Sequence, residues 1–237
     1  MKDVYYNNFL KYAGFVKDKD FNSYSDVMQG VSELMVPKLD SEDDTKALVM
    51  FGFSGNGKTT WINNFCRENP DYTVLSMDSV VRELSDKLGR RVDGMEITKA
   101  FSDKLDEVCS SDSKVIIDGN FLNLLTRMAL VDSLHTYGFG VSVVDITPIF
   151  DITIQKRILA EASRVIGEDI TEDNVDQFRD DFRFKHMEKR VMDYHNMEKL
   201  KSSYVEQTML GATSFGVEDV IVVDSGSKSD NIGGKKI

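Results

Sequence analysis

The chain has few cysteines, few prolines and no long hydrophobic run. Its 237 residues include two cysteines, Cys66 and Cys109, which are too few for a disulfide framework and indicate reduced thiols. Three prolines leave no proline-rich linker. No apolar run approaches the roughly 18 residues of a membrane span, and the N-terminus lacks the hydrophobic stretch of a signal peptide. We therefore expect a cytoplasmic protein without a membrane partner.

Positive charge is also scarce. The chain carries 29 Lys and Arg residues against 40 Asp and Glu residues, a net charge of −11. A protein that coats nucleic acid needs a basic surface to neutralise phosphates, so this balance argues against that class. It is compatible with a small basic pocket on an acidic body. The 41% of hydrophobic residues is typical of a globular protein rather than a disordered one.

The patterns along the chain divide it into three parts. Residues 1–45 are predicted to be an N-terminal helical extension, because apolar residues recur at loose helical spacing before Pro37 and an acidic stretch at 40–44. Residues 46–226 form the predicted main domain. Residues 227–237 are polar and rich in Gly and Lys, which predicts a mobile tail.

Short apolar runs alternate with longer helical patterns in the main domain. This alternation predicts an α/β fold with a five-stranded parallel sheet covered by helices on both faces, a three-layer sandwich. Ligands of such sheets bind beyond the carboxyl ends of the strands. The five predicted strands begin at Ala47, Thr73, Lys114, Val141 and Asp219, and the predicted helices lie near 58–68, 79–88, 95–110, 123–137, 149–166 and 172–210.

The most specific motif runs from Gly52 to Thr60 and fits the phosphate-loop pattern G-x-x-x-x-G-K-[ST] between a strand pattern and a helix pattern. Its glycines let backbone N–H groups cradle phosphate oxygens, and the following helix adds its positive end. Lys58 is predicted to reach the β- and γ-phosphates of ATP, and Thr59 to offer its hydroxyl to Mg²⁺. The predicted ATP-binding residues of the loop are Gly52, Ser54, Gly55, Asn56, Gly57, Lys58, Thr59 and Thr60.

Four of the five apolar runs end in Asp, at positions 78, 118, 145 and 224. Glu follows none of them, whereas ATP-driven motors commonly place a water-polarising Glu there, so group transfer is favoured over hydrolysis. Asp78 is expected to face the γ-phosphate, where a carboxylate can accept the proton of an attacking hydroxyl. Asp78 also opens a helix pattern, where Asp is favoured as a cap. Both roles can hold at once, because a cap residue at the carboxyl end of a strand also faces the site.

These motifs together resemble the phage polynucleotide kinase domain, which belongs to a wider group of P-loop kinases that includes zeta toxins. The resemblance covers about residues 46–200. It is carried by the phosphate loop, by Met77-Asp78 with Arg82, by the segment Ile116–Asn123, and by Gln155-Lys156-Arg157.

The resemblance implies transfer of the γ-phosphate of ATP to a hydroxyl, with Asp78, Lys58 and Arg157 as catalytic residues. Arg157 and Arg164 would be lid arginines on the ATP phosphates. Arg82, Asp118 and Asn120 would join Asp78 in binding the acceptor. Two departures stand out: Arg82 lies four residues after Asp78 rather than three, and Arg164 lies seven after Arg157 rather than a few. An ion-paired surface stripe with Glu161 is the alternative interpretation of this helix.

Two kinds of acceptor are compatible with these residues. The 5′-hydroxyl of a polynucleotide end is the leading hypothesis by resemblance, and it requires a basic approach channel. Candidates for that channel are Arg82, Arg90, Arg91, Arg127 and the segment 179–190. A small-molecule hydroxyl, on a nucleotide sugar or metabolite, requires only a closed pocket, which the acidic balance permits. A third hypothesis is a non-kinase P-loop NTPase that acts as a nucleotide-gated binding module.

Overall fold

The computed structural model describes most of the predicted main domain and the beginning of the predicted N-terminal extension. The described residues are 1–17, 26, 46–53, 55–111, 114–119, 121, 123–147, 152–181, 183–184, 217, 219–224 and 235–236.

Strands and helices alternate from residue 46 onward, as the sequence predicts. In chain order the elements are α1 Val4–Lys17, β1 Lys46–Phe51, α2 Lys58–Glu68, β2 Tyr72–Ser76, α3 Met77–Leu88, α4 Gly94–Cys109, β3 Lys114–Asp118, α5 Leu124–Thr136, β4 Gly140–Thr147, α6 Ile152–Ile166, a 3₁₀ turn Val175–Phe178, β5 Asp219–Asp224 and β6 Lys235–Lys236.

The sheet has the strand order β2-β3-β1-β4-β5-β6, and β2, β3, β1, β4 and β5 run parallel. This confirms the predicted α/β fold with a five-stranded parallel sheet. The two-residue β6 pairs antiparallel with β5, within the segment predicted to be a tail. Because β1 lies between β3 and β4, the loop that follows β1 emerges near the middle of the carboxyl edge of the sheet.

Helices pack on both faces of the sheet and form the outer layers. On one face, α4 and α5 bury Phe101, Leu105 and Met128 against the strands. On the other face, Ile62 of α2 packs against Leu48 and Met50 of β1. Apolar residues point to both faces of the central strands, which explains why these strands read as continuous hydrophobic runs.

The N-terminal helix α1 belongs to the first of these layers. The side chains of Tyr5 and Tyr12 are fully buried, and the Tyr5 ring meets the Phe101 ring edge-on with 5.1 Å between centroids. The Tyr12 hydroxyl donates to the buried carboxylate of Asp132 in α5. Burial and this carboxylate both raise the pKa of Tyr12. This helix is therefore bound to the main domain through the core.

Helix α3 begins earlier than the sequence predicts. Strand β2 ends at Ser76, the last residue that pairs with β3, and Ser76 is also the N-cap residue of α3. Asp78 is consequently the second residue of the helix rather than its cap or the end of a strand. A carboxylate in the first turn is still favourable, because it faces the positive end of the helix dipole.

The described part of the helix predicted at 172–210 contains a 3₁₀ turn. The Asn174 side chain explains the change, because its Oδ1 accepts from the Thr171 amide at 2.8 Å and its Nδ2 donates to the Asp169 carbonyl at 2.9 Å. Such side-chain bonds to the backbone compete with a continuous helix. The rest of that predicted helix, from 185 to 210, lies outside the described residues.

Within the described ranges, no helix combines the length and apolarity required to cross a lipid bilayer.

Candidate functional site

The phosphate loop connects β1 to α2 through three glycines in left-handed backbone conformations. The φ angles are 134° at Gly52, 81° at Gly55 and 95° at Gly57. A Cβ atom at Gly52 would lie 3.0 Å from the carbonyl oxygen of Ile146 in β4. Glycine is therefore strongly favoured at position 52 both by the backbone conformation and by the neighbouring strand.

The beginning of α2 has backbone amides that precede the hydrogen bonds of the helix. The N-cap residue is Gly57, and no side chain among the described residues caps the helix. The first backbone bond within the helix runs from the Trp61 amide to the Gly57 carbonyl at 2.9 Å, so the amides of residues 58–60 precede the helical ladder. A Cβ at Gly57 would meet nothing within 4 Å, so the N-cap position itself is open. The loop thus fits a phosphate group.

Lys58 places its positive charge inside the loop. The residue is buried, and its Nζ donates to the carbonyl oxygens of Gly52 and Phe53 at 2.9 Å each. The next two residues, Thr59 and Thr60, are exposed, so the Thr59 hydroxyl is accessible to a metal ion bound with a phosphate. The described residues contain no cluster of three or more His, Cys, Asp or Glu side chains that could hold a metal without such a ligand.

Arg157 in α6 reaches the phosphate loop from a distant part of the chain. Its Nη1 donates to the Gly55 carbonyl at 3.2 Å, across 102 residues of sequence. Arg164 is exposed in the last turn of the same helix. The first of the two predicted lid arginines therefore contacts the loop, and the second lies two turns farther along the helix.

The candidate acceptor-binding residues lie at the same edge of the sheet. Ser76 of β2 pairs in register with Asp118 of β3, and the Ser76 hydroxyl donates to Asp118 Oδ2 at 3.4 Å. Asp78 follows on α3 with an exposed side chain. The exposed Arg82 lies one turn later, and its Nη2 donates to Ser79 Oγ at 3.3 Å. Because β3 separates β2 from β1, Asp118 lies between Asp78 and the loop.

Ser54 and Asn120, two predicted site residues, lie outside the described part of the chain. Asn56 is described and buried within the loop.

Most described members of the predicted basic channel have other roles. Arg127 is fully buried, so its prediction as a channel residue is wrong: the helix that carries it packs into the core. Arg90 forms two bonds with Glu96, which lower the pKa of that carboxyl to about 2. Arg179 and Arg183 form ion pairs with Asp176 and Asp181 at 2.7 and 2.6 Å.

The sequence predicts no function for one carboxylate at this edge of the sheet. Asp145 of β4 is buried and pairs in register with Phe51, the last residue of β1. It was visible in the sequence as one of the four aspartates that end apolar runs, but nothing in the sequence shows that it is buried beside the loop.

A family model described as an AAA domain matches residues 48–184, which is more than half of the chain. No curated protein matches significantly. A solved structure from the PezAT chromosomal toxin–antitoxin system of Streptococcus pneumoniae shares 16% identity, with a TM-score of 0.45 and coverage of 86% of this chain and 79% of that one. A gluconokinase structure from Sinorhizobium meliloti 1021 shares 14% identity, with a TM-score of 0.40 and coverage of 78% and 85%. These two likenesses are too distant to assign a function.

We expect Gly52→Ala to destabilise the protein by about 1–3 kcal/mol, because alanine would adopt an unfavourable φ and press on the Ile146 carbonyl. The matched control is Gly14→Ala in α1, where a Cβ meets nothing within 4 Å. That control should stabilise the protein by about 0.5–1 kcal/mol. Urea unfolding of both variants measures the two effects. Equal changes in unfolding free energy would contradict the constraint at position 52.

Proposed function

This chain belongs to the AAA domain family, and on that premise we propose that it is an ATP-dependent phosphotransferase with a hydroxyl acceptor. The observation that carries the proposal is the contact between Arg157 and the Gly55 carbonyl. It supports a guanidinium held at the phosphate loop, where negative charge grows during phosphoryl transfer. Asp78, at the same edge of the sheet, supports a base for the acceptor.

Transfer to a hydroxyl is favoured over ATP hydrolysis by the residues that follow β3. Asp118 ends this strand beside the loop, and the next residue is the buried Gly119 rather than a Glu that could polarise water. The exposed Asp78 is the carboxylate that an acceptor could reach, because it projects from the first turn of α3. A carboxylate there is suited to orient an alcohol and take its proton.

In the proposed mechanism, the loop amides, Asn56 and Lys58 bind the phosphates of ATP. Lys58 would shift its donors from the Gly52 and Phe53 carbonyls to phosphate oxygens. Thr59 and Thr60 would complete the phosphate site, and the Thr59 hydroxyl would be a ligand of Mg²⁺. Bound Mg²⁺ would supply charge neutralisation at the phosphate oxygens. Arg157, followed by Arg164, would cover the phosphates from α6.

The reaction itself is an in-line displacement. The acceptor oxygen forms a bond to the γ-phosphorus while the bond from that phosphorus to the bridging oxygen breaks. The acceptor proton passes to the Asp78 carboxylate, and ADP leaves with the bridging oxygen. Asp118 and Arg82 would hold the acceptor beside Asp78, and Asn120 is proposed for the same role from the family resemblance.

We infer that a small-molecule hydroxyl is the better acceptor. Of the described candidates for a basic channel, Arg127 is buried and Arg90, Arg179 and Arg183 are in ion pairs, so only Arg82 and Arg91 are left to attract a strand of nucleic acid. The second candidate is the 5′-hydroxyl of a polynucleotide end. The position of Arg82, one helical turn from Asp78, supports it, because a guanidinium there could bind the phosphate next to that hydroxyl.

We expect Arg157→Ala to weaken ATP binding by about tenfold or more, since one charge-assisted contact is lost. Trp61, the only tryptophan in the chain, lies one residue after Thr60 and serves as the fluorescent probe for titration. The control is Lys156→Ala, which removes another exposed positive charge at the adjacent position. If both variants bind ATP alike, Arg157 acts only through the general potential and its proposed role is wrong.

We expect Asp78→Asn to reduce phosphate transfer by about 100-fold or more while ATP affinity stays unchanged, because the proton acceptor is lost and the loop is intact. The assay follows labelled γ-phosphate from ATP into a panel of nucleosides and sugars and into a 5′-hydroxyl oligonucleotide. Asp86→Asn, on the exposed surface of the same helix, is the control and should retain wild-type transfer.

The panel also separates the alternatives. Labelling of the oligonucleotide alone would overturn the preference for a small acceptor. If the wild-type protein labels no acceptor and Asp78→Asn leaves phosphate release unchanged, the protein is a nucleotide-gated binding module and the proposed phosphotransferase function is wrong.

A further inference from the structure

A fully buried arginine lies next to the strands that carry the candidate site. Arg127 is the fourth residue of α5, and its neighbours in the helix include the buried Met128 and Leu130. An arginine is costly to bury because its charge loses contact with water, so the contacts it makes inside the protein must compensate. Two of these contacts connect it to the carboxyl edge of the sheet.

The first contact is with the segment that follows β3. Arg127 Nη1 donates to the Phe121 carbonyl at 2.9 Å, in a buried environment. Phe121 lies three residues after Asp118. The second contact is with β1, because the Arg127 guanidinium carbon lies 5.2 Å from the centre of the Phe51 ring. Phe51 is the last residue before Gly52, so one side chain joins both segments that bear the site.

Phe121, the residue that accepts the bond from Arg127, has a strained backbone conformation. Phe121 has a φ of 23°, which is unusual for a residue with a side chain. Its ring folds back over Gly119, where a Cβ would lie only 2.5 Å from the Phe121 Cε2 atom. The ring also contacts Phe101 of α4, with 6.2 Å between centroids. A strained backbone of this kind persists only when surrounding contacts hold it.

Arg127 is not needed to begin its own helix. Asn123 is the N-cap residue of α5, and its Oδ1 accepts from the amides of Leu125 at 2.9 Å and Thr126 at 3.3 Å. The first turn is therefore capped independently of the bond from Arg127 to Phe121. The guanidinium contacts instead connect Phe121, which follows β3, to Phe51 at the end of β1.

We propose that Arg127 is a positioning residue that fixes Phe121, and with it Gly119 next to Asp118, relative to the strand that carries the phosphate loop. Its catalytic consequence rests on the proposed function, since Asp118 would bind the acceptor beside Asp78. A displacement of the acceptor by an ångström would reduce transfer without changing how the loop binds ATP.

The test compares Arg127→Met, which keeps much of the side-chain volume but removes the charge and the donors, with Arg127→Lys, which keeps the charge and one donor group. Tyr12→Phe is the control for general destabilisation, because it removes a buried hydrogen bond between α1 and α5 away from the site. Hydrogen exchange is measured in peptides that contain Gly119 and Phe121, in β1 and in α5. ATP affinity is read from Trp61 fluorescence, and kcat and KM from the transfer assay.

For Arg127→Met we expect exchange at Gly119 and Phe121 to accelerate by about tenfold or more while β1 and α5 keep their protection. ATP affinity should stay unchanged, and kcat per folded molecule should fall by about tenfold or more. Arg127→Lys should show a smaller acceleration and a smaller fall in kcat than Arg127→Met. In Tyr12→Phe, exchange should accelerate equally in all three regions, and kcat per folded molecule should stay unchanged.

Unchanged exchange at Gly119 and Phe121, or acceleration spread equally over β1 and α5 as in Tyr12→Phe, would overturn the positioning role. Local acceleration with an unchanged kcat would overturn its catalytic consequence. If the wild-type protein transfers no phosphate, the proposed function fails, and hydrogen exchange alone still decides whether Arg127 positions the segment.

Discussion

The parallel pairing of β1 with β3 on one side and β4 on the other is the constraint on which the candidate site depends. It places the loop after Phe51 between Asp118 and the end of β4. The Ile146 carbonyl then lies so close to Gly52 that a Cβ there would be only 3.0 Å from its oxygen, which disfavours any other residue. The first glycine of the motif is therefore favoured by the neighbouring strand β4 as well as by any phosphate that the loop binds.

Elements distant in sequence complete the site around this central strand. α6 brings Arg157 to the Gly55 carbonyl from one side. From behind, α5 brings Arg127 to Phe51 and to the Phe121 carbonyl. The same helix is bound to α1 through Tyr12 and Asp132. The N-terminal helix thus stabilises the layer that supports the segment after β3, and this gives it a structural role in the main domain.

The predictions that succeeded were those that depend on local pattern. Strands that are buried on both faces appear in the sequence as apolar runs, so the sheet was predictable. The glycine and lysine spacing from Gly52 to Lys58 is a local chemical signature, so the phosphate loop was predictable as well. The start of α3 was not predictable in this way. The helix begins where β2 stops pairing with β3, at Ser76, and the end of that pairing depends on a strand distant in sequence. The prediction of Arg127 as a channel residue is wrong for a similar reason. A charged residue in a predicted helix is expected to lie on the surface, and only the packing of α5 shows that Arg127 is buried.

The most direct test of the central claim is a crystal structure of the full chain with Mg²⁺ and a non-hydrolysable ATP analogue. The account predicts the β- and γ-phosphates in the loop from Gly52 to Thr60, with Lys58 and Arg157 donating to phosphate oxygens rather than to loop carbonyls. It also predicts that the γ-phosphate faces the edge that carries Asp78 and Asp118. A nucleotide bound elsewhere, or a γ-phosphate directed away from Asp78, would contradict the account.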